Sequence, residues 1–257
     1  DNMILQDVER GKSLCFIDPH GDPSKKHILP RIAQGRIGDV IYLEPKLYPF
    51  AFNILASRVE TATLVSVIRR LASHSWGGRM HTILHFAIDT LRLSSPAHTL
   101  ADIGPFLTDE GFRAEVIRSL PRSEQGDELF KHWEGRKLPA DQVGPIENTL
   151  RDFLDYGSAL RPIFASTTNA IDFADILQKR PTILLLNLGD LPEVHKRLLG
   201  AFFVSALCDA ALARGEIAEE KRRPFYLYCD EFETFQTEKF ETILSQARKY
   251  GLYLHLS

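Results

Sequence analysis

The chain has 257 residues, 44% hydrophobic and 25% charged, the proportions of an ordinary soluble globular protein. It is long enough for one large domain or for a core carrying an inserted subdomain. The formal net charge of −3 leaves no basic footprint, so a nucleic-acid partner would have to be gripped locally or by an assembly.

Three cysteines, Cys15, Cys208 and Cys229, stand far apart inside apolar runs without metal-like spacing and read as buried thiols in a reducing compartment. No apolar stretch approaches the roughly 20 residues that a membrane helix needs. The expected location is therefore cytoplasmic, with attachment to the inner face of the membrane only through a segment outside this chain.

In chain order, Met3, Ile4, Leu5 and Val8 share one helical face and Gly11 suits a C-cap, yet no start signal precedes them, so the chain is expected to enter a helix midway. Residues 13–18 read as a buried strand, 24–34 as a short helix and 39–43 as a second strand. Together they form a βαβ unit with parallel pairing.

From 58 to 166 the apolar spacing turns helical, with stripes at Leu64, Val67, Ile68 and Leu71, at Ile83, Leu84, Ala87, Ile88 and Leu91, and at Ile146, Leu150, Phe153 and Leu154. This stretch is expected to be an all-helical insertion. The α/β pattern resumes with a buried strand over 181–188, a long helix over 192–214, a strand from Pro224 that stops at Asp230-Glu231, a helix over 237–250 and a last strand over 252–256. The reading is thus an α/β core from 1–57 and 167–257, mostly parallel, interrupted by a helical subdomain at 58–166.

Asp230 and Glu231 sit at the carboxyl end of an apolar strand, the edge where open α/β sheets bind ligands. A carboxylate there can hold Mg²⁺ through its water shell, and a neighbouring one can orient and deprotonate an attacking water. The same pair also serves as ordinary turn or cap residues. The run Asp18-Pro-His-Gly-Asp22 closes the first strand and presents His20 and Asp22 on a tight turn at the same edge, although a capped turn needs these residue types too.

Gly11-Lys12-Ser13 does not make a phosphate loop, because the glycine required five residues earlier is Gln6 and the segment leads into a strand where a helix should open. His81 and His85, at i and i+4, fit a helix surface better than zinc, since no carboxylate completes the helical metal motif. Lys25-Lys26-His27, Arg69-Arg70 and Lys221-Arg222-Arg223 are short basic clusters with little aromatic interleaving and read as solvated faces. Trp76 and Trp133 are expected to fill the helical subdomain's core or an interface.

Five segments then occur in a telling order: Ile17-Asp-Pro-His-Gly-Asp22, Asp39-Val-Ile-Tyr-Leu-Glu-Pro45, Asn53-Ile-Leu55, Tyr228-Cys-Asp-Glu-Phe232 and Gln246-Ala-Arg-Lys-Tyr-Gly-Leu252. The set resembles the HerA/FtsK branch of P-loop ATPases, and within it the type IV secretion coupling proteins and related conjugative DNA translocases. The resemblance covers essentially the whole chain, the helical insertion matching in place and size more than in residues.

What the resemblance implies is a RecA-like core in a ring, usually a homo-hexamer, that hydrolyses ATP with Mg²⁺ at subunit interfaces and drives DNA through its centre, with relaxosome or secretion-channel proteins as further partners. By matching positions, Asp230 resembles the metal-associated carboxylate, Glu231 the catalytic base and Arg248 the arginine that reaches a neighbour's γ-phosphate, although a solvated arginine complementing the dipole at a helix C-terminus explains Arg248 equally well. Asp18, His20, Gly21 and Asp22 would support the nucleotide site from the adjacent strand. The family's phosphate loop, expected before Asp1, and a glutamine expected past Ser257 are missing, so the chain reads as a fragment that alone neither binds nor hydrolyses ATP appreciably. A HerA-type helicase of repair or phage defence, and a non-hydrolysing scaffold or cargo-recruiting module, are the alternatives.

Overall fold

A computed structural model of the chain describes residues 2–72, 76–235 and 246–257. The chain divides into two compact units, Asp1–Phe50 with Ile171–Ser257, and Ala51–Ala170. The joins lie slightly outside the division read from the sequence because the entering and leaving segments of the second unit pair with each other. Phe52 and Asn169 form an antiparallel bridge, the Ala170 amide donates to the Ala51 carbonyl at 2.8 Å, and the Asn53 amide donates to Asn169 Oδ1 at 2.7 Å.

The first segment of the core unit holds α1 (Asn2–Glu9), β1 (Ser13–Asp18) and β2 (Val40–Leu43). The single helix expected over 24–34 is instead a π-helical turn, Pro23–Ile28, running into a 3₁₀ turn, Leu29–Arg31. Pro30 lacks the amide that a regular α-helix would need there.

The helical unit follows, with α2 (Thr61–Leu71), α3 (Gly78–Leu93), α4 (Ile103–Thr108), α5 (Glu110–Arg118), α6 (Glu124–Trp133), α7 (Ala140–Leu154) and α8 (Arg161–Phe164). The second segment of the core unit then adds α9 (Phe173–Gln178), β3 (Ile183–Asn187), α10 (Glu193–Leu212), β4 (Phe225–Cys229) and β5 (Leu252–Leu256). Most of the helix expected over 237–250 lies outside the described residues. Its end, Ala247–Tyr250, is a 3₁₀ turn.

The five strands form one all-parallel sheet in the order β2-β3-β1-β4-β5. β1 and β3 are buried along their whole length, as expected of central strands covered on both faces. On one face Ile4 and Val8 of α1 pack on Leu14, Phe16, Ile183, Leu185 and Tyr228. The alternate residues Cys15 and Cys229 turn to the other face, within electrostatic reach of Cys208 on α10. All three thiols are buried and free, and burial pushes their pKa up, so they stay protonated and inert.

One expectation is corrected here. The stretch from Glu193 to Glu216, containing α10, is long and apolar enough to cross a membrane by length and composition alone. Its apolarity is explained by packing, since Leu198, Leu199, Phe202, Phe203 and Leu207 are buried inside the core, and a helix apolar on most sides is what a core helix looks like.

In the helical unit α3 touches α2, α4, α5, α6 and α7, and its stripe Ile83, Leu84, Ala87, Ile88 and Leu91 is buried. Trp133 fills the core beside it. Its indole Nε1 donates to Thr90 Oγ1 at 2.8 Å, and its ring meets Phe106 edge to face at 5.1 Å, so the polar atom of a buried indole has its partner.

Candidate functional site

Parallel pairing sets the carboxyl ends of all five strands on one edge, and the register brings one polar residue from each to that edge. Asp18 stands opposite Asn187. Ile17 pairs with Cys229 and Cys229 with Leu256, so the next residues Asp18, Asp230 and Ser257 stand level. Leu43 pairs with Leu186, which adds Glu44 beside Asn187. The two acidic segments singled out in the sequence therefore sit on the tips of adjacent strands.

Asp18 is fully buried and holds the loop that follows it. Its Oδ1 accepts from the His20 amide at 3.0 Å and the Gly21 amide at 2.8 Å, and its Oδ2 accepts from the Ser24 amide at 2.7 Å. The carboxylate is spent on the backbone, so Asp18 shapes the site and does not present a ligand group to it.

Gly21 has φ +84°, and a Cβ built there would lie 2.6 Å from Asn187 Oδ1. Gly189 is equally confined, because its Cβ would lie 2.3 Å from the His20 carbonyl oxygen. The loops after β1 and β3 thus interlock backbone against backbone, and Lys196 Nζ adds a bond to the Pro19 carbonyl at 2.7 Å.

At the tip of β4, Asp230 Oδ1 accepts from Ser257 Oγ at 2.7 Å and from the Glu231 amide at 3.2 Å. Glu231 has φ +50°, the one positive φ outside glycine among the described residues. Such a backbone is costly for a residue with a Cβ and persists only where its surroundings impose it. It turns Glu231 toward the β1 loop, where its Oε1 lies 3.2 Å from His20 Nε2, both side chains about half exposed. His20 and Glu231, 211 positions apart in sequence, make a side-chain contact between the two tips.

Asp22 faces outward and pairs with Lys26 at 2.8 Å, whose hydrogen bond holds its carboxyl below the usual range. Lys25 reaches the buried Glu44 at 2.8 Å, and that hydrogen bond raises the ammonium pKa. Arg248 is exposed and belongs to the turn leading into β5. In a parallel sheet this puts it at the amino edge, opposite Asp230 and Glu231, so the chain does not bring it to its own acidic tip.

Asn187, Ser257, Glu44 and Lys196 were not picked out in the sequence. The signal for the first three was present, each being the polar residue that ends an apolar strand. Outside this edge, Gly11-Lys12-Ser13 is a tight link from α1 to β1. Lys12 Nζ is spent on Asp7 at 2.7 Å, and Ser13 Oγ accepts the Thr182 amide at 3.2 Å. His85 Nδ1 lies 3.1 Å from Asp89.

The edge suits a hard cation bound mainly through water. Oxygen donors fit Mg²⁺, which keeps several waters and takes one or two carboxylates. Asp230 Oδ2 and the Ser257 hydroxyl are such donors, while no group of three or more His, Cys, Asp or Glu able to cage a metal occurs among the described residues.

No family model matches the chain, and no curated protein matches it. Solved structures do. The bacterial conjugative coupling protein TrwBdeltaN70, in its unbound monoclinic form, superposes with a TM-score of 0.60 at 15% identity over 98% of this chain and 56% of its own. The plasmid coupling protein TrwB in complex with ADP and Mg²⁺ gives 0.60 at 14% identity, over 97% and 57%. VirB4 of Thermoanaerobacter pseudethanolicus gives 0.55 at 14% identity, over 99% and 64%. The chain spans little more than half the length of these structures. What it shares with them across nearly all its own length is the RecA-like α/β fold, a parallel sheet interrupted by a helical unit.

Proposed function

We propose that this chain is the motor portion of an ATP-driven DNA translocase of type IV secretion or conjugation, acting as one subunit of a ring, most simply a homo-hexamer. The observation that carries the reading is the acidic tip of β4, with Glu231 turned by its left-handed backbone onto His20 of the neighbouring loop. The fold shared with a coupling protein solved with ADP and Mg²⁺ supports it, as does the order of the sequence motifs.

In this proposal Glu231 orients the attacking water and takes its proton, while His20 holds the Glu231 carboxylate in place. Asp230, steadied by Ser257, would hold Mg²⁺ through water. The bound ion would offset phosphate charge. Asp18 keeps the β1 loop rigid so that His20 stays in register. Arg248, lying far from its own acidic tip, would serve a neighbouring subunit, where an arginine finger is worth roughly 10³ to 10⁵ in rate. None of the residues placed at this edge supplies the run of backbone amides and the lysine that cradle phosphates, so these 257 residues should show no micromolar affinity for Mg-ATP in a calorimetric titration.

The decisive experiment is Glu231→Gln in the full-length protein. Loss of a general base lowers ATP turnover by about 10² to 10⁴-fold, with nucleotide binding kept. Turnover equal to wild type would remove Glu231 from the chemistry and with it the reading of this edge.

A further inference from the structure

The helical unit carries a cavity of about 450 Å³ whose polar lining is cationic and neutral, with no carboxylate among its lining residues. Arg79 enters it from the first turn of α3, and Arg136 and Lys137 enter from the link between α6 and α7. Thr82 and Gln142 add neutral hydrogen-bonding groups beside an apolar wall. All three cations are exposed. Three positive charges gathered in one concavity, on a chain whose net charge is −3, repel one another unless an anion joins them.

Among the described residues, the side-chain partner of these cations does not neutralise them. Arg136 Nη1 contacts Nε2 of His132, whose imidazole is pushed down to about 4, first by burial and then by Arg136 itself. At neutral pH His132 therefore offers a lone pair and no charge. The amino end of α3 opens on the same cavity at Gly78, where an added Cβ would meet nothing within 4 Å, and it contributes a smaller positive potential. Planar guanidinium forks recognise tetrahedral oxyanions in bidentate fashion, and an ammonium adds point charge.

We propose that this cavity is a phosphate-binding site, taking a phosphate group from a nucleic-acid backbone or from a free phosphorylated small molecule. It shares no residue with the acidic edge and holds whether or not Glu231 is a catalytic base.

The chain's two tryptophans, Trp76 and Trp133, flank Arg79 and Arg136 in sequence and make intrinsic fluorescence a local reporter. The full chain is titrated with sodium pyrophosphate, and separately a fluorescein-labelled oligothymidylate is followed by anisotropy at several salt concentrations. Wild type is compared with the triple variant Arg79→Ala, Arg136→Ala, Lys137→Ala and with Arg136→Lys.

The expected result is saturable binding that weakens by at least about tenfold in the triple variant and less in Arg136→Lys, which keeps the charge and loses the fork. If the oligonucleotide binds and its log–log salt slope flattens by about 0.7 in the triple variant, as the loss of one phosphate contact on a single strand requires, the source is the backbone. If only pyrophosphate responds, the source is a small phosphorylated ligand. Equal affinity of wild type and triple variant for both probes, with Arg136→Lys also unchanged, overturns the site. So does the absence of saturable binding by the wild type.

Discussion

At the scale of single residues the candidate site is held by backbone geometry more than by side chains. Asp18 receives three amides, and the loop they define closes only because Gly21 and Gly189 lack a Cβ. Gly21→Ala should cost at least about 1 kcal/mol for an alanine at positive φ and a further 1–3 kcal/mol, roughly, for the clash with Asn187. Urea denaturation checks it as a lower midpoint at unchanged m, and a midpoint equal to wild type would mean the loop yields without strain. Such positions were partly legible. A polar residue ending an apolar strand marked Asp18 and Asp230, and a turn of Asp, Pro and Gly marked the loop. The contact between His20 and Glu231 was not, because the family resemblance alone placed the two strands side by side, and a local pattern carries no information about pairing across 211 positions. Nor does residue type announce the left-handed backbone of Glu231.

At the scale of elements, strands were read more faithfully than short helices. β1 and β5 span the residues expected of them, β1 because a buried strand must be apolar on both faces. The single helix expected over 24–34 is a wider and then a tighter turn over 23–31, because composition resolves helix from coil better than it resolves π, α and 3₁₀ turns, which differ by single hydrogen bonds. The end of α6 offers a pH test. His132 stacks on Phe86 with ring centroids 3.5 Å apart, and burial followed by Arg136 depresses its pKa from 6.5 to about 4. Between those values the unfolded chain binds a proton that the folded chain refuses, so the unfolded state gains as pH falls. Stability from this group is fully present above pH 6.5 and is lost progressively toward pH 4. His132→Gln should therefore flatten the stability difference between pH 7 and pH 4.5 relative to wild type, measured by urea titration at both. An unchanged difference would assign the acid sensitivity to carboxylates elsewhere.

At the scale of the whole molecule, the insertion is built to be separable. Its two ends are fastened to each other by the Ala170 to Ala51 hydrogen bond and the Phe52–Asn169 bridge, so its termini already meet where the chain enters and leaves. It also owns a core, with Leu84, Ile88, Phe106, Ile146 and Phe164 essentially inaccessible, and buried tryptophan and phenylalanine rings packed together. A segment with adjacent ends and its own apolar centre meets the conditions under which inserted domains fold alone. The residues 51–170, expressed by themselves, should therefore give a helical far-UV spectrum, a single cooperative thermal transition and a blue-shifted Trp133 emission that moves red on unfolding. The complementary chain, with 51–170 replaced by a short glycine-serine linker, should keep the sheet, because among the described residues β1 to β5 pair with one another. A non-cooperative melt of 51–170 together with loss of the sheet in the complement would show that each unit depends on the other for stability. The insertion would then be a structural part of the α/β core and not a module carried on it.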